Sequence, residues 1–468
     1  MKKIIVIWFL ATVFLSGCQG WIDISPKTEV KSKELFTTED GFKSALIGIY
    51  VRMTLSQTYG KNLSYGYIEE LAQRYDNYSA NMIPSDEDRA QIYDYKNNDY
   101  SKGVINSIWE EMYKNIANIN NLIEQIGVVG NEVLLTPGYK EIIEGEAYAL
   151  RALHYFDILR LWGPVYSLEP DALVLPWRER LSNDKVPLIS ASEVLVKIIA
   201  DLSHAESLLA SDPMTFERSA TDLFLGERRF RMNLFAVKAL LARVFLYAGD
   251  NANAVKYAKD VVENSGIALI SDNSKDVSFS RESLFCLNMF NMTDRVADDW
   301  KVTSIMDGEK WISTENIRSV FEYYTIGLND IRYRNGYGFI HGTNRYMCRK
   351  YLGEGSGFEN MIPMIRLSEM YLILAEASGN NNGHIYLNTL RNARGISRSS
   401  NIGAGLTQDQ LLEYINKEYQ KEFFAEGQWF YFLKRHNISD FYRCPVERMI
   451  YYTLPLPDDE IEFGDVTN

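Results

Sequence analysis

The chain has 468 residues, of which 46% are hydrophobic and 24% are charged, values that are ordinary for a globular protein with a large core. Its formal net charge of −13 argues against binding to nucleic acid and against loose adsorption to anionic lipid, because both need a basic surface. The 30 tyrosines, beside only 12 prolines, indicate aromatic packing or a polar-aromatic surface rather than acid–base chemistry.

The amino terminus predicts an exported, lipid-anchored protein. Two lysines precede an apolar run at residues 4–15, which is too short to cross a bilayer as a mature helix. The run ends in LSGC, which resembles the lipobox of a bacterial lipoprotein and would make Cys18 the lipidated amino terminus. We therefore expect a signal peptide over residues 1–17 and a tether over 18–36. The alternative is an ordinary signal peptide with a chance cysteine.

Helical periodicity dominates the first half of the chain. Thr37 or Thr38, followed by two acidic residues, predicts the N-cap of a helix over 41–53. Residues 55–104 open with a stretch that lacks a sustained period and holds many tyrosines, so we expect mostly loop there. Apolar residues at helical spacing then predict helices over 105–126, 139–162 and 192–209.

Two segments, 232–265 and 363–396, predict helical hairpins. Each reads as two helices around a polar turn, which lies at 249–251 in the first and at 378–383 in the second. LARVFLYAGD in the first aligns without gaps to YLILAEASGN in the second, with a spacing similar to that of tetratricopeptide helix pairs. Because one such hairpin cannot bury both apolar faces, the sequence predicts a mainly α, helical-repeat fold in which hairpins stack.

The rest of the chain completes this scaffold. Residues 266–360 are irregular and rich in aromatic residues, and a loop of this length is improbable unless it is functional or folds onto the scaffold. Residues 408–433 predict a last long helix, kinked at Gly427. We expect a single domain over 37–468, with a helical scaffold (37–54, 105–265, 361–468) and irregular ligand-binding regions (55–104, 266–360).

Glu418, Glu422 and Glu426 recur every four residues and therefore share one helix face. One interpretation is glycoside hydrolysis by a protonated carboxylic acid and an ionised partner. We favour structural ion pairs, because three like charges beside aromatic residues need compensating cations. Our hypothesis is that Glu422 or Glu426 reaches Arg366 across the helix stack.

No pattern predicts a cofactor or a protein-built metal site. The five histidines show neither H-x-x-x-H nor H-x-H spacing, and G-x-S-x-G, P-loop and dinucleotide-binding motifs are absent from the sequence. Residues 272–276 (DNSKD) lack the glycine and the terminal glutamate of an EF-hand loop. A structural calcium ion in the loops stays open.

Five further motifs follow the lipobox. They are EGEAYALRALHYFDILRLWGPV (144–165), IRLSEMYLILAEA (365–377), LNTLRNARGI (387–396), KEYQKEFFAEGQWFYFLKR (417–435) and LPLPDDEI (454–461). In this order they resemble the SusD/RagB family, the nutrient-binding lipoproteins of the outer membrane of Bacteroidota. The resemblance covers nearly the whole chain and implies a right-handed stack of four tetratricopeptide-like helix pairs with a loop-rich ligand-binding subdomain. It also implies a protein without enzymatic activity that covers a SusC-like TonB-dependent transporter. Such a protein passes oligosaccharides to the transporter or, in the RagB branch, peptides.

The ligand-contacting positions of the family do not belong to a recognisable motif. We therefore select candidate residues by their place in the irregular regions and by their side-chain chemistry. Flat aromatic rings bury the apolar faces of sugars, while polar side chains bind the hydroxyls. The candidates are aromatic residues of the two irregular regions: Trp300, Trp311, Tyr323, Tyr324, Tyr75 and Tyr78.

We therefore expect a lipoprotein exposed at the cell surface that captures glycans and delivers them without catalysis. Three rivals remain open: a peptide-binding RagB-like protein, a glycosidase, and a helical scaffold without a small-molecule ligand. Full burial of Trp300 and Trp311 would favour the scaffold.

Overall fold

The structure is a computed structural model that describes residues 34–76, 90–91, 93–130, 132–182, 184–213, 222–300, 310–334, 338–342, 344–352, 359–441 and 452–464. Cys18, Tyr78, the expected signal peptide and most of the expected tether lie outside the described residues. No helix within these ranges has the length and hydropathy needed to cross a bilayer.

Helices dominate the described chain, which confirms the predicted fold class. In chain order they are α1 (Glu39–Met53), α2 (Tyr67–Leu71), α3 (Asp99–Val128), α4 (Tyr139–Trp162), α5 (Ala191–Leu208), α6 (Leu234–Ala248), α7 (Asn251–Asn264), α8 (Met292–Trp300), α9 (Thr314–Val320), α10 (Leu367–Ala377), α11 (Gly379–Ala393), α12 (Gln408–Glu422), α13 (Gln428–Arg435) and α14 (Asp458–Phe463).

The strands are short and antiparallel. They are β1 (Leu173–Pro176), β2 (Leu188–Ser190), β3 (Ser283–Asn288), β4 (Trp311–Ser313), β5 (Phe339–Gly342), β6 (Arg345–Cys348) and β7 (Met361–Arg366). β1 pairs with β2, β3 pairs with β7, and β6 lies between β4 and β5. Strand β7 therefore occupies the start of the segment predicted as a helical hairpin.

Successive helices pack as a continuous stack. α4 contacts both α3 and α5, α6 contacts α5 and α7, and α10 contacts α7 and α11. α4 lies deep in this stack, and its side chains Leu153, Phe156 and Leu159 are buried. The irregular residues 266–360 carry β3 to β6, α8 and α9, and α9 packs on α12 of the stack.

The turn of the first predicted hairpin lies where the sequence places it. Asn233 caps α6 by accepting a hydrogen bond from the backbone N–H of Ala236. Gly249 ends α6 in the left-handed conformation with φ of +79°. Asp250 caps α7 by accepting from the backbone N–H of Asn253. Two adjacent caps thus separate the two helices.

The predicted turn at 378–383 is wrong, because α11 begins directly after Ser378. Gly383 lies in α11, where a Cβ atom would meet the carbonyl oxygen of Ala375 at 2.1 Å. The glycine therefore permits a close approach of two helices, and burial of Leu387 favours the helix. Tertiary packing outweighs the weak helix propensity of this Gly/Asn run.

The predicted long helix over 408–433 is two helices. α12 ends at Glu422, and α13 begins after Gly427, whose φ is +73°. The buried carboxylate of Glu69 accepts hydrogen bonds from the backbone N–H groups of Ala425 at 2.9 Å and of Gly427 at 2.8 Å. Glu69 therefore stabilises the break between the two helices.

Replacing this glycine tests the break. A Cβ atom at Gly427 would lie 2.7 Å from Ile68 Cγ2 and 2.9 Å from the Leu63 carbonyl oxygen. We expect Gly427→Ala to lower the free energy of unfolding, measured in denaturant, by about 2–4 kcal/mol through backbone strain and overpacking. Gly405→Ala is the control, because Gly405 has φ of +89° but no atom within 4 Å of the added Cβ. Equal losses in both variants would show that packing at Gly427 is unimportant.

Candidate ligand-binding site

A cluster of buried ion pairs joins β7, the C-cap of α11, α12 and the turn that follows α12. Arg366 donates to Oε1 of Glu422 at 2.6 Å and to Oε1 of Glu426 at 2.8 Å. Arg394 donates to the two carboxylate oxygens of Glu422 at 2.6 and 3.0 Å. The structure thus places both glutamates against Arg366, the arginine selected from the sequence.

The same cluster extends into the irregular region. Arg332 donates to Glu422 at 3.1 Å and pairs with Asp330 at 2.6 Å. Glu282, just before β3, accepts from Arg394 at 2.7 Å. All of these side chains are buried, so the irregular region is held to the helical stack by charge pairing in the interior.

The arginines keep the central carboxylate ionised. Burial alone would raise the pKa of Glu422, but the guanidinium groups of Arg394 and Arg366 hold that pKa well below its usual range. A glycosidase needs a carboxylic acid with a raised pKa at an open cleft, whereas Glu418, Glu422 and Glu426 are all buried. The three glutamates have the contacts of structural ion pairs.

A groove of about 700 Å³ opens beside α9. It is formed by α9, the turn that follows it, and the residue that precedes β6. Its lining residues are Ser313, Thr314, Glu315, Arg318, Ser319, Glu322, Tyr323, Tyr324, Thr325 and Asn344.

Hydrogen bonds fix the start of the groove wall. The Ser313 side chain caps α9 by accepting from the backbone N–H of Asn316. The carboxylate of Asp76 accepts from the Ser313 N–H at 2.7 Å and from Asn316 Nδ2 at 2.6 Å. The two irregular regions therefore meet here.

Glu322 fixes the other end of the wall. Its carboxylate pairs with Lys421 at 2.6 Å and with Lys417 at 3.3 Å, both on α12. Burial would raise the pKa of Glu322, but the two lysines lower it below its usual value. Glu322 is thus ionised, and its charge is balanced by the two lysines of α12.

Two tyrosines and an arginine form the aromatic part of the groove. The ring centroids of Tyr323 and Tyr324 lie 5.1 Å apart with an interplanar angle of 83°, and Tyr324 is 78% exposed. The guanidinium carbon of Arg318 lies 4.9 Å from the Tyr323 ring centroid. Arg318 Nη1 donates to the Tyr324 hydroxyl at 3.0 Å. The Tyr324 ring is therefore presented to solvent while its hydroxyl is held in place.

Two of the aromatic residues selected from the sequence do not fit a ligand site. Trp300 and Tyr75 are both 0% exposed, so neither ring offers a face to a ligand. Trp300 packs edge-on against Tyr65 at 5.7 Å, and the Tyr75 hydroxyl donates to the Tyr65 carbonyl at 2.7 Å. These rings form the core of the irregular regions, and their prediction as ligand contacts is wrong.

The other candidates lie at the groove or beside it. Tyr323 and Tyr324 line the groove, whereas Trp311 is half-buried with Arg345 4.2 Å from its ring. Sequence reasoning missed Arg318. The available signal was its position on a short capped helix, five residues before Tyr323, which brings a cation to the ring.

In the part of the chain that the structure describes, no three His, Cys, Asp or Glu side chains are grouped to hold a metal ion. The polar groups that line the groove are hydroxyl, amide, carboxylate and guanidinium groups. This chemistry suits binding through hydrogen bonds and ring contacts.

Two family descriptions match the chain. "Starch-binding associating with outer membrane" matches residues 20–246, and "SusD family" matches residues 288–460. The chain belongs to the SusD/RagB family. A SusD-like protein of Bacteroides ovatus is 22% identical over 94% of this chain and 84% of its own. SusD-like protein P2 of Formosa agariphila is 23% identical over 98% of this chain and 97% of its own.

Solved structures of SusD proteins show the same fold. A SusD-like carbohydrate binding protein from Bacteroides vulgatus matches with a TM-score of 0.72 at 20% identity, over 92% of this chain and 97% of that one. A SusD superfamily protein from Bacteroides thetaiotaomicron has a TM-score of 0.72 at 18% identity, over 92% and 98% of the two chains. The helical stack described above is therefore the SusD fold.

The buried ion pairs of this SusD fold predict a large effect of one substitution. We expect Glu422→Gln to lower the free energy of unfolding by about 3–5 kcal/mol, because Arg366, Arg394 and Arg332 each lose one of their carboxylate partners inside the protein. Glu413→Gln on the same helix is the matched control. Glu413 has a 71% exposed side chain that pairs with Lys417, so we expect a loss of at most about 0.5 kcal/mol. Similar denaturation midpoints for the two variants would contradict a supporting role of the cluster.

Acid should weaken the same cluster over a defined pH range. Burial would raise the pKa of Glu418, but Lys421 and Arg332 lower it from 4.5 to about 2. Because the unfolded chain protonates near 4.5, stabilisation by this carboxylate is complete above that pH and is lost as the pH falls towards 2. We expect the free energy of unfolding to decrease over this range, and to decrease less in Glu418→Gln, which does not titrate. Parallel pH profiles would be the opposite result.

Proposed function

We propose that this protein binds an oligosaccharide in the groove beside α9 and passes it, without cleavage, to a SusC-like TonB-dependent transporter. The observation that carries the proposal is the exposed Tyr324 ring, fixed by Arg318 within a groove of about 700 Å³ on a SusD fold. Such a groove lies within the usual size range of small-molecule sites.

The contacts in the groove suit a sugar. The face of the Tyr324 ring can cover the apolar C–H face of one sugar ring. Hydroxyl and amide groups of Ser319, Thr325 and Asn344 line the same groove and can bind sugar hydroxyls. The open shape leaves the ligand free to depart, which a delivering protein requires.

Delivery needs a location beside the transporter. We propose that Cys18 carries the lipid anchor at the outer membrane and that residues 1–17 are removed. Anchoring raises the effective concentration of the binding protein at the transporter mouth. The family description of proteins that associate with the outer membrane supports this location.

A peptide ligand is the second candidate, and one observation favours it. The rings of Tyr323 and Tyr324 are separated by 5.1 Å but inclined at 83°, so only one of them can lie flat against a given sugar. Peptide recognition uses backbone hydrogen bonds and does not require coplanar rings. Calorimetry against oligosaccharides and peptides of matched length would separate the two ligand classes.

Removal of the exposed ring tests the site. We expect Tyr324→Ala to weaken oligosaccharide binding by about 1–2 kcal/mol, measured by calorimetry, because the apolar contact with the sugar face is lost. Phe290→Ala is the matched control, because Phe290 is 81% exposed but does not line the groove. Unchanged affinity in Tyr324→Ala, or an equal loss in both variants, would place the ligand elsewhere.

A further inference from the structure

Arg318 lines the groove and Arg345 lies on the neighbouring strand β6, and each packs on an aromatic ring. Arg318 covers Tyr323 at 4.9 Å, and Arg345 covers Trp311 at 4.2 Å. Arg345 is paired across the β4–β6 ladder with Ser313, a lining residue of the groove. The lining residues comprise one arginine, Arg318, and two glutamates, Glu315 and Glu322.

Arg318 differs from the interior arginines in its partners. Arg366 and Arg394 each contact two or more carboxylates. Within the described chain, by contrast, no carboxylate lies within salt-bridge distance of Arg318; its contacts are neutral tyrosines. The hydroxyl groups of Tyr333 and Tyr324 raise the pKa of Arg318 further, so the charge is permanent.

Neither acidic side chain of the groove forms an ion pair with Arg318 in the described structure. Glu322 faces Lys421 and Lys417 at 2.6 and 3.3 Å, so its charge is already matched. Glu315 lies on the exposed first turn of α9 and, in the described structure, is not paired with Arg318. Among the described residues, the guanidinium of Arg318 thus has no carboxylate in salt-bridge contact, and it lies beside the exposed Tyr324 ring.

We propose that the ligand is an acidic oligosaccharide, whose carboxylate or sulfate group binds the guanidinium of Arg318 while the adjoining sugar ring lies on Tyr324. The inference rests on the proposed function, and it narrows the ligand class. A guanidinium binds planar and tetrahedral oxyanions through two parallel hydrogen bonds, which an ammonium cannot reproduce. The tyrosine contacts hold the guanidinium in place before binding, which lowers the entropic cost.

The experiment is calorimetry with the full chain in detergent and with paired oligosaccharides. Each uronate-containing oligomer is compared with its carboxyl-reduced counterpart, and each sulfated oligomer with its desulfated counterpart, which distinguishes the two sources of negative charge. We expect the acidic member of at least one pair to bind roughly 10- to 100-fold more tightly, with the preference decreasing at high salt.

Variants locate the effect. We expect Arg318→Gln to bring acidic and neutral oligomers to the same affinity, with some loss for both because the Tyr324 hydroxyl loses its donor. We expect Arg318→Lys to keep only part of the preference for the acidic oligomer. Arg180→Gln is the matched control, because Arg180 is exposed and does not line the groove. Thermal unfolding of each variant confirms that the fold is intact.

The outcomes separate the two proposals. Binding of neutral and acidic oligomers with equal affinity, or an acidic preference that survives Arg318→Gln, overturns the inference and leaves sugar binding standing. Binding of peptides alone, or of no oligosaccharide in either form, overturns the proposed function and the inference together.

Discussion

The Glu422 carboxylate is surrounded by the guanidinium groups of Arg366, Arg394 and Arg332 in the interior of the protein. An isolated carboxylate in this position would carry a desolvation penalty of several kcal/mol, and each arginine would carry its own. Only their simultaneous presence makes the arrangement tolerable. The four side chains come from α12, β7, the C-cap of α11 and the irregular region, so this local requirement fixes how distant parts of the chain meet.

The groove depends on this arrangement through short links. Glu322 is tied to α12 by two lysines, and Asp76 ties the first irregular region to the cap of α9. Contacts with the helical stack therefore hold the groove wall in place. The wall needs these contacts, because a helix as short as α9 is not stable alone. A rigid frame with a separately built surface suits a protein that must hold a ligand without closing around it. On this surface, the Tyr324 ring is exposed to solvent and does not pack against the described helical stack.

The sequence predicted the elements whose signals are local. The helix over 139–162 has the predicted bounds, and the caps at Gly249 and Asp250 lie in the predicted turn. The predicted turn at 378–383 was wrong because the close helix contact at Gly383 outweighs the weak helix propensity of this segment. The prediction for Trp300 was wrong for a related reason. A tryptophan in an irregular segment can face solvent or a small local core, and which of these it does depends on residues distant in the sequence. Arg318 was missed because its contacts are with three tyrosines that come together only in the folded chain.

All but one of the groove-lining residues fall within 313–325, a stretch shorter than most single helices of the stack. The glutamates and arginines that hold the frame together lie almost entirely outside it. The residues that line the groove are thus largely separate in sequence from those that form the central ion pairs. If the proposed site is correct, ligand specificity is encoded in one short continuous segment, so exchanging residues 313–325 between two family members would exchange their ligands without disturbing the buried ion pairs.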